Sequence, residues 1–574
     1  MQTNQTNQST IFLKIGAILS LLVGFSSQGA SLEAPFTRLT SGPWAESAQS
    51  LSVAACDYNN DGWPDLFVGH QNTLSALYRN DHGTNFIKVT TGPIATTLML
   101  SAHAAAWADY DNDGWPDLVV ANLKDPPYPS TYLFHGLGNG SFEQVLSGPL
   151  TNASGRTVAV SWADYTGDGL LDLFVGRGAV VLDVPDTLYR NDGPAGFSVD
   201  TNHPFAALRT DQGAWADFDG DGRLDLLVVH AGLEGNTLYR NKGHGQLEIV
   251  QNSGLAQLGQ SVGAAWGDFD NDGYLDLIVI NWNYGNPPST NFFYHNNGDG
   301  TFTQITNGPI ATDSGYFMSG SWVDFDNDGW LDLFIAADPI GDPQGLRNRL
   351  YHNQGDGTFV RMTTGALVTD SERFAGSAWL DYDNDGFPDV YVACGSIYGP
   401  QPDAFYHNNG NSNSWIKIRC VGTVSNRSAI GTTIRAKARI GGTDRWQMRQ
   451  IVGTEGWLSF NDLDQIIGLG DASVVDTLRI EWPSGIVQQL SNVPVRQTLV
   501  VVEQTTLALA KTGDVNFELQ VTGPRQQRYA VEASGDLSNW VPMASLTITN
   551  ADGTATYQGA IGSEISRYFR ARAQ

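Results

Sequence analysis

The sequence predicts an all-β protein built on a seven-bladed β-propeller, followed by a second β-rich domain and a small C-terminal β-sandwich. Three observations predict it. A nine-residue acidic pattern recurs seven times, at intervals of 51–57 residues. Each copy carries four short strand-like segments separated by turn residues, the content of one propeller blade. Glycine accounts for 64 of 574 residues and aromatic residues for 11%. That is a turn-rich composition with ample ring surface for a large core.

The elements follow in chain order. Residues 11–25 are an apolar run with one lysine, and small residues follow as far as Ala30. The run is shorter than the roughly 20 residues a membrane span needs, so residues 1–30 read as a secretory signal peptide. The mature chain is expected to be exported, to the extracellular space, the cell surface or a bacterial periplasm, where calcium is plentiful. No later stretch is apolar enough to span a bilayer.

Residues 31–412 hold the repeats. In each, a first strand ends in Trp-x-Asp or a variant, at Trp107, Trp162, Trp215, Trp266, Trp322 and Trp379. The acidic loop follows, then a second strand such as Asp-Leu-Phe-Val at 65–68. The third carries Leu-Tyr-Arg-Asn or Phe-Tyr-His-Asn, at Leu77, Leu188, Leu238, Phe293, Leu350 and Phe405, and loosely at Leu133. The fourth begins with Phe86, Phe142, Phe197, Phe302 or Phe359, with Leu247 in one unit. The seventh copy lacks its fourth strand, and the missing Phe-Thr-Arg-Leu stands at 36–39. This N-terminal strand is therefore expected to complete the seventh blade and close the ring, leaving only short protected edges.

The acidic loops carry oxygen side chains at positions one, three, five and nine. These are Asp57, Asn59, Asp61 and Asp65; Asp109, Asp111, Asp113 and Asp117; Asp164, Thr166, Asp168 and Asp172; and Asp217, Asp219, Asp221 and Asp225. The last three sets are Asp268, Asp270, Asp272 and Asp276; Asp324, Asp326, Asp328 and Asp332; and Asp381, Asp383, Asp385 and Asp389. Position six is glycine in every loop. Position seven is Trp, Leu, Arg, Tyr or Phe, so it offers only its carbonyl to a cation. Oxygen donors at alternating positions around a glycine turn follow the logic of calcium loops. The fourth carboxylate comes at position nine and the flanks are strands, which excludes an EF-hand. Two carboxylates about 4 Å apart repel by roughly 4 kcal/mol at an effective dielectric near 20. The loops are thus expected to hold up to seven Ca2+ ions, offsetting 14 of the 28 net negative charges. Asn59 and Thr166 each remove one charge, so their loops should bind most weakly. Magnesium, which prefers few protein ligands in a rigid octahedron, suits them less. The bland alternative is that these residues only cap turns.

Asp+Glu outnumber Lys+Arg by 60 to 32, which argues against nucleic acid or an anionic membrane surface as a partner. Cys56, Cys394 and Cys420 are too scattered for a disulfide scaffold or a zinc site. They read as buried free thiols, with one bridge as the alternative.

These loops resemble the FG-GAP and VCBS-type repeats of integrin α-subunit propellers and of secreted bacterial proteins, over about residues 36–410. The resemblance implies a cation in the loop between the first two strands of each blade. Residues 413–503 contain Asn-Arg-Ser-Ala-Ile-Gly at 426–431, Gly-Thr-Glu-Gly at 453–456, Gly-Leu-Gly at 468–470 and Glu-Trp-Pro-Ser-Gly at 481–485. This resembles the ASPIC/UnbV domain that follows such repeats in the cartilage acidic protein family. The family's combination is that of a secreted calcium-binding protein with poorly defined molecular activity. Residues 504–574 alternate apolar and polar positions and read as a small β-sandwich with a basic end.

No His-Glu-x-x-His, Gly-x-Ser-x-Gly or phosphate loop is present. His135, His295, His352 and His407 share one repeat position with Arg79, Arg190 and Arg240, and read as packing or strand-pairing residues. Ligand contacts are expected on the face opposite the acidic loops. The insertions 124–128, 281–284, 342–347 and 396–398 lie there, with Arg156 and Arg373 on the approaches. The functional expectation is a non-catalytic adhesion or ligand-binding module for a protein or carbohydrate. The alternative is a calcium-dependent polysaccharide lyase or hydrolase, which charged residues from unlike blades converging at the channel mouth would favour. Oligomeric state is not legible.

Overall fold

A computed structural model describes residues 33–573, apart from 125–126, 154, 179–184, 206–209, 231–234, 256, 283–288, 339–346, 396–398, 505, 512–515, 524–527, 535–540, 548–553 and 561–567. The expected signal peptide lies outside the described residues. So do residues 396–398 and most or part of the other three insertions.

Each repeat folds as an antiparallel four-stranded sheet. In the first, Ser50–Cys56, Asp65–His70, Ala76–Asn80 and Phe86–Val89 pair in order. The next five sheets repeat this order, with first strands Ala102–Ala108, Ala159–Ala163, Gln212–Ala216, Ser261–Gly267 and Phe317–Val323. The last acidic loop joins Phe374–Leu380 to Asp389–Cys394, which pairs with Ala404–Asn408. The fourth strand of this sheet is Phe36–Leu39, with Phe36 opposite Asn408 and Leu39 opposite Phe405. Neighbouring first strands pack against one another through the series, and Phe374–Leu380 also packs against Ser50–Cys56. The result is an all-β, propeller-like array of repeated sheets.

The sheets stack face to face, so their inner strands are apolar on both sides. Leu66, Phe67 and Val68 are buried, as are Leu333, Phe334 and Ile335. The Trp-x-Asp tryptophans fill the seams. Trp107 Nε1 donates to Ala54 O of the preceding sheet (3.3 Å), and Trp322 Nε1 donates to Ala265 O (3.2 Å). A donor at the end of a bulky ring thus ties one sheet to the next while the ring fills the gap. Cys56, Cys394 and Cys420 are buried and unpaired.

After the repeats, Ser414–Val421 pairs with Gln465–Gly470 and, in parallel, with Thr498–Val502. A separate four-stranded sheet orders Thr443–Gln450, Thr433–Ile440, Val474–Glu481 and Val487–Pro494. Between these strands, residues 453–462 insert among the first strands of all seven repeat sheets. Ser459–Phe460 pairs in parallel with Val53 and Ala54. Trp457 packs on His103 at 5.2 Å between ring centroids. Gly453 O accepts from Trp162 N (3.4 Å), and Gly456 O accepts from Gln212 Nε2 (2.8 Å). Gly456 N donates to Ala264 O (3.2 Å). Ser459 Oγ lies 2.7 Å from Ser319 Oγ and accepts from Ser377 N (2.9 Å). The insert is a plug: its backbone polar groups take partners from the strands that surround it, as burial demands.

At the C-terminus, two three-stranded sheets share an apolar cluster of Leu519, Val521, Tyr529 and Val531.

The plug fits closely enough to test. A Cβ added at Gly376 would meet the Leu458 carbonyl. Overpacking of this kind costs about 1–3 kcal/mol. Gly376→Ala should therefore lower the melting temperature by several degrees in thermal unfolding, and unchanged melting would show that the plug is not seated there.

Candidate metal-binding loops

All seven acidic loops share one local architecture. The position-one carboxylate caps the turn: Asp109 Oδ1 accepts from Asp113 N (3.0 Å) and Oδ2 from Gly114 N (2.7 Å). The position-five carboxylate accepts from the position-seven N–H, as Asp113 does from Trp115 N (2.9 Å). The glycine at position six sits at φ of +85° to +98°, a conformation that L side chains rarely adopt. Position four is also left-handed, and is filled by Asn60, Asn112, Asn271, Asn327 or Asn384, or by Gly167 and Gly220.

Position nine begins the second strand in every repeat. Its carboxylate is a structural hinge as well as a candidate ligand. Asp332 Oδ1 accepts from Asn353 N on the third strand (2.8 Å), and Oδ2 accepts from Phe325 N inside the loop (3.2 Å). Asp65, Asp172, Asp225, Asp276 and Asp389 accept in the same way from the asparagine that ends the third-strand stamp. In the second sheet the donor is Gly136 N.

Sequence reasoning missed what that asparagine does. Asn353 Nδ2 donates to Leu331 O of its own loop (3.0 Å) and to Phe269 O of the preceding sheet's loop (2.8 Å). Asn80, Asn191, Asn241, Asn296 and Asn408 make the equivalent pair of bonds. Its recurrence in the stamp was the available signal. The position-four asparagines add a second link, each donating to the position-six carbonyl of the next loop. Asn60 reaches Gly114 O (2.9 Å), and Asn384 reaches Gly62 O (3.0 Å).

The repeated histidines pack edge-on against Tyr110, Phe269, Phe325 and Tyr382 and take part in strand pairing, and their position beside the loop also turns them toward its carboxylates. His135 Nδ1 lies 3.0 Å from Asp117 Oδ1 and 3.4 Å from Asp111 Oδ2. His295, His352 and His407 face positions three and nine of their own loops in the same way. In the fourth sheet Arg240 Nε stands 2.6 Å from Asp219 Oδ2. Each group puts an organic cation against a carboxylate pocket.

The post-repeat segment covers this same face. Lys417 Nζ reaches Asp381 Oδ2 (2.7 Å), and Arg419 Nη1 reaches Asp57 Oδ2 (2.9 Å) while also gripping Asp464. Gln450 Oε1 accepts from Asp217 N (2.9 Å), and Ser428 Oγ accepts from Asp109 N (2.8 Å).

Ligand atoms of Asp109, Asp111 and Asp113 converge within 4.8 Å of one another, and similar groups recur in other loops. In the fourth loop Asp219 Oδ1 and Asp225 Oδ2 are buried with no hydrogen-bond partner, and in the seventh so is Asp381 Oδ1. A buried, unpartnered carboxylate oxygen is costly. These Asp-rich groups have the donor chemistry and the unfilled valence to hold a metal. Thr166 stands apart, since its hydroxyl donates to Asp164 Oδ1 at 3.4 Å.

The FG-GAP-like repeat model matches residues 57–120, 109–175, 217–279, 280–335 and 324–392, and the ASPIC and UnbV model matches residues 422–508. The chain belongs to the FG-GAP-like repeat family and carries an ASPIC and UnbV domain. Cartilage acidic protein 1 of Mus musculus is 26% identical over 474 residues, covering 76% of this chain and 71% of that protein. Homo sapiens integrin alpha-7 is 28% identical over 148 residues, covering 24% of this chain and 12% of its own. Among solved structures, Trypanosoma rangeli sialidase covers 86% of this chain and 88% of its own, at 9% identity and a TM-score of 0.33.

The electrostatics of the FG-GAP loops carry a pH signature. Burial, reinforced by neighbouring carboxylates, raises Asp109 and Asp217 to about 7 and Asp172 to about 8. Hydrogen bonds to Asp117 and Asp276 raise His135 and His295 to about 9. Between pH 4 and 9 the metal-free folded chain therefore holds protons that the unfolded chain releases. Burial lowers His70 and His103 to about 4 and acts in the opposite sense below pH 6.5, but the raised groups outnumber them, so stability falls as pH rises. In chelator, the melting temperature should drop steadily from pH 5 to pH 8; a flat or rising profile would contradict the arrangement.

Proposed function

We propose that the chain is an exported, calcium-binding propeller that acts as a non-catalytic adhesion or ligand-binding module for a protein or carbohydrate. In this reading residues 31–412 form a seven-bladed ring closed by the N-terminal strand. Residues 413–503 form the plugging ASPIC and UnbV domain, and residues 504–574 a β-sandwich. The pairing of Phe36–Leu39 with Ala404–Asn408 and the packing of Phe374–Leu380 on Ser50–Cys56 support closure.

The observation that carries the calcium reading is the set of buried, unpartnered oxygens, Asp219 Oδ1, Asp225 Oδ2 and Asp381 Oδ1, inside loops made of oxygen donors. Positions one, three, five and nine would hold the ion by side chains, and position seven by its carbonyl. The bound ion supplies the counter-charge that the crowded carboxylates need. Where no histidine or arginine stands against the pocket the loop admits the ion directly; elsewhere that side chain has to yield its place.

Charged residues do gather where residues 417–464 meet the repeats, the kind of cluster an enzyme would require. They come largely from the ASPIC and UnbV domain, and they are engaged in docking. Lys417 and Arg419 hold Asp381, Asp57 and Asp464, while Glu455 accepts from Trp322 N (3.0 Å) and Asn461 Nδ2 (2.6 Å). These contacts support a structural role for the charges. Among the described residues no helix is long and apolar enough to cross a membrane.

Each site held at 100 times its Kd adds about 2.7 kcal/mol. Loss of several ions should therefore lower the melting temperature by on the order of 10 °C or more. Calorimetry with calcium and then with excess EDTA tests this, and identical curves from a demonstrably ion-free chain would end the calcium reading. Asp219→Ala should lose about one cation per chain; an unaltered metal count by elemental analysis would refute that site.

A further inference from the structure

Four of the seven acidic loops have a nitrogen donor beside them, which calcium, an oxygen-taking ion, does not use. His135, His295, His352 and His407 stand on the third strand next to the second, fifth, sixth and seventh loops. In each, Nδ1 lies against the carboxylates of positions three and nine. All four of these loops have Asp at every donor position. The other three loops have arginine at the same place on the strand, and a guanidinium has no lone pair to give a metal. Arg79 is exposed, Arg190 turns to Asp192, and Arg240 pairs with Asp219.

The distances fit one kind of metal. Zinc binds imidazole nitrogen and carboxylate oxygen at about 2.1 Å, so its ligands stand about 3.0 Å apart in an octahedron and about 3.4 Å apart in a tetrahedron. His135 Nδ1 is 3.0 Å from Asp117 Oδ1 and 3.4 Å from Asp111 Oδ2. His295 Nδ1 is 3.2 Å from Asp276 Oδ1 and 3.2 Å from Asp270 Oδ2. The ligand atoms of each trio lie within 4.8 Å of one another. Asp117 Oδ1 and Asp276 Oδ1 each accept one backbone N–H as well, and an oxygen with two lone pairs can do both. In the sixth and seventh loops the distance to position three widens to 3.8 and 3.6 Å. A further cation also stands at position one there, Arg449 at 4.0 Å from Asp324 and Lys417 at 2.7 Å from Asp381. The second and fifth loops are therefore the better-formed sites.

A separate observation singles out the fifth loop. His295 Nδ1 is buried without a well-directed hydrogen bond. Two carboxylate oxygens are equally close to it, and neither stands in line to take its proton. An ion seated among the three atoms would satisfy all of them at once. The far nitrogen of the ring faces position five, Asp272 Oδ2 at 4.0 Å, and in the second loop Asp113 Oδ2 at 3.9 Å. A metal-bound imidazole commonly has a carboxylate on that side to hold the ring.

We infer that the second and fifth loops bind a zinc-like transition ion, through His135, Asp111 and Asp117 and through His295, Asp270 and Asp276. This rests on reading the acidic loops as metal sites, and it changes the metal in two of them. Imidazole suits such ions, and water would complete the shell. The ion takes the place of the proton that Nδ1 otherwise holds against the carboxylates, so uptake releases that proton to solvent. The histidine then has no need to leave its pocket.

The test is equilibrium dialysis of the full, untagged chain against micromolar zinc in millimolar calcium, with both metals counted by elemental analysis. At least two zinc ions per chain should bind. His135→Gln and His295→Gln should each lose about one, while His82→Gln and His244→Gln, at exposed positions, should lose none. An anomalous map of zinc-soaked crystals, taken at the zinc edge, should place an ion between His295 Nδ1, Asp270 and Asp276, and it serves if a variant folds poorly. A chain that holds calcium and no zinc overturns the inference and leaves the calcium reading intact. Zinc that depends on His135 and His295 in a chain without calcium upholds the inference and ends the calcium reading. A chain holding neither metal overturns both. A zinc count unaltered in both loop variants, an equal loss in the exposed-site variants, or an anomalous peak away from His295 also overturns the inference.

Discussion

The structure depends on a crowding of buried carboxylates at the junction of the first two strands in each repeat. The loop cannot close without them, because the position-one carboxylate caps the turn and the position-nine carboxylate ties the second strand to the third. Yet gathering them out of water raises their proton affinity and sets them against one another. Every other feature of this face can be read as an answer to that conflict. The answers are histidine and arginine beside the pockets, lysine and arginine brought in by the second domain, and, in the proposed function, calcium.

The second domain is part of the same solution. The first strands of the repeat sheets are small and apolar, and the stretch 453–462 lies among them with glycines and small polar groups that partner the surrounding backbone. Tryptophans seal the seams between sheets, and asparagines stitch each loop to its neighbour. The repeats and the ASPIC and UnbV domain therefore share one core, and docking buries Lys417 against Asp381. Burying a charge is tolerable only when it is paired. The two parts are accordingly expected to lose stability together.

The repeat architecture was readable residue by residue because strict periodicity exposes strands, loops and glycine turns at once. Even the displaced strand at 36–39 was legible, since one copy lacked a segment that another part of the chain supplied. The carboxylate contacts of the histidines were not legible, because position within a repeat says which strand a residue is on, not which neighbouring loop its side chain meets. The asparagine that closes the third strand recurs visibly in the sequence, but its two bonds run to residues about 20 and 80 positions away, beyond any local pattern. The approach of the second domain to the acidic face was also unreadable, because Lys417 and Arg419 meet Asp381 and Asp57 only through docking.

By itself, the sequence determined the all-β class, the number of acidic loops, their oxygen-donor chemistry and the family. Those are local properties, written in spacing and residue type. Tertiary structure decided what surrounds the loops: which cations stand in the pockets, that a plug lies among the first strands, and where the second domain docks on the acidic face. These follow from contacts between residues tens to hundreds of positions apart, and such contacts arise only when the sheets and the second domain pack.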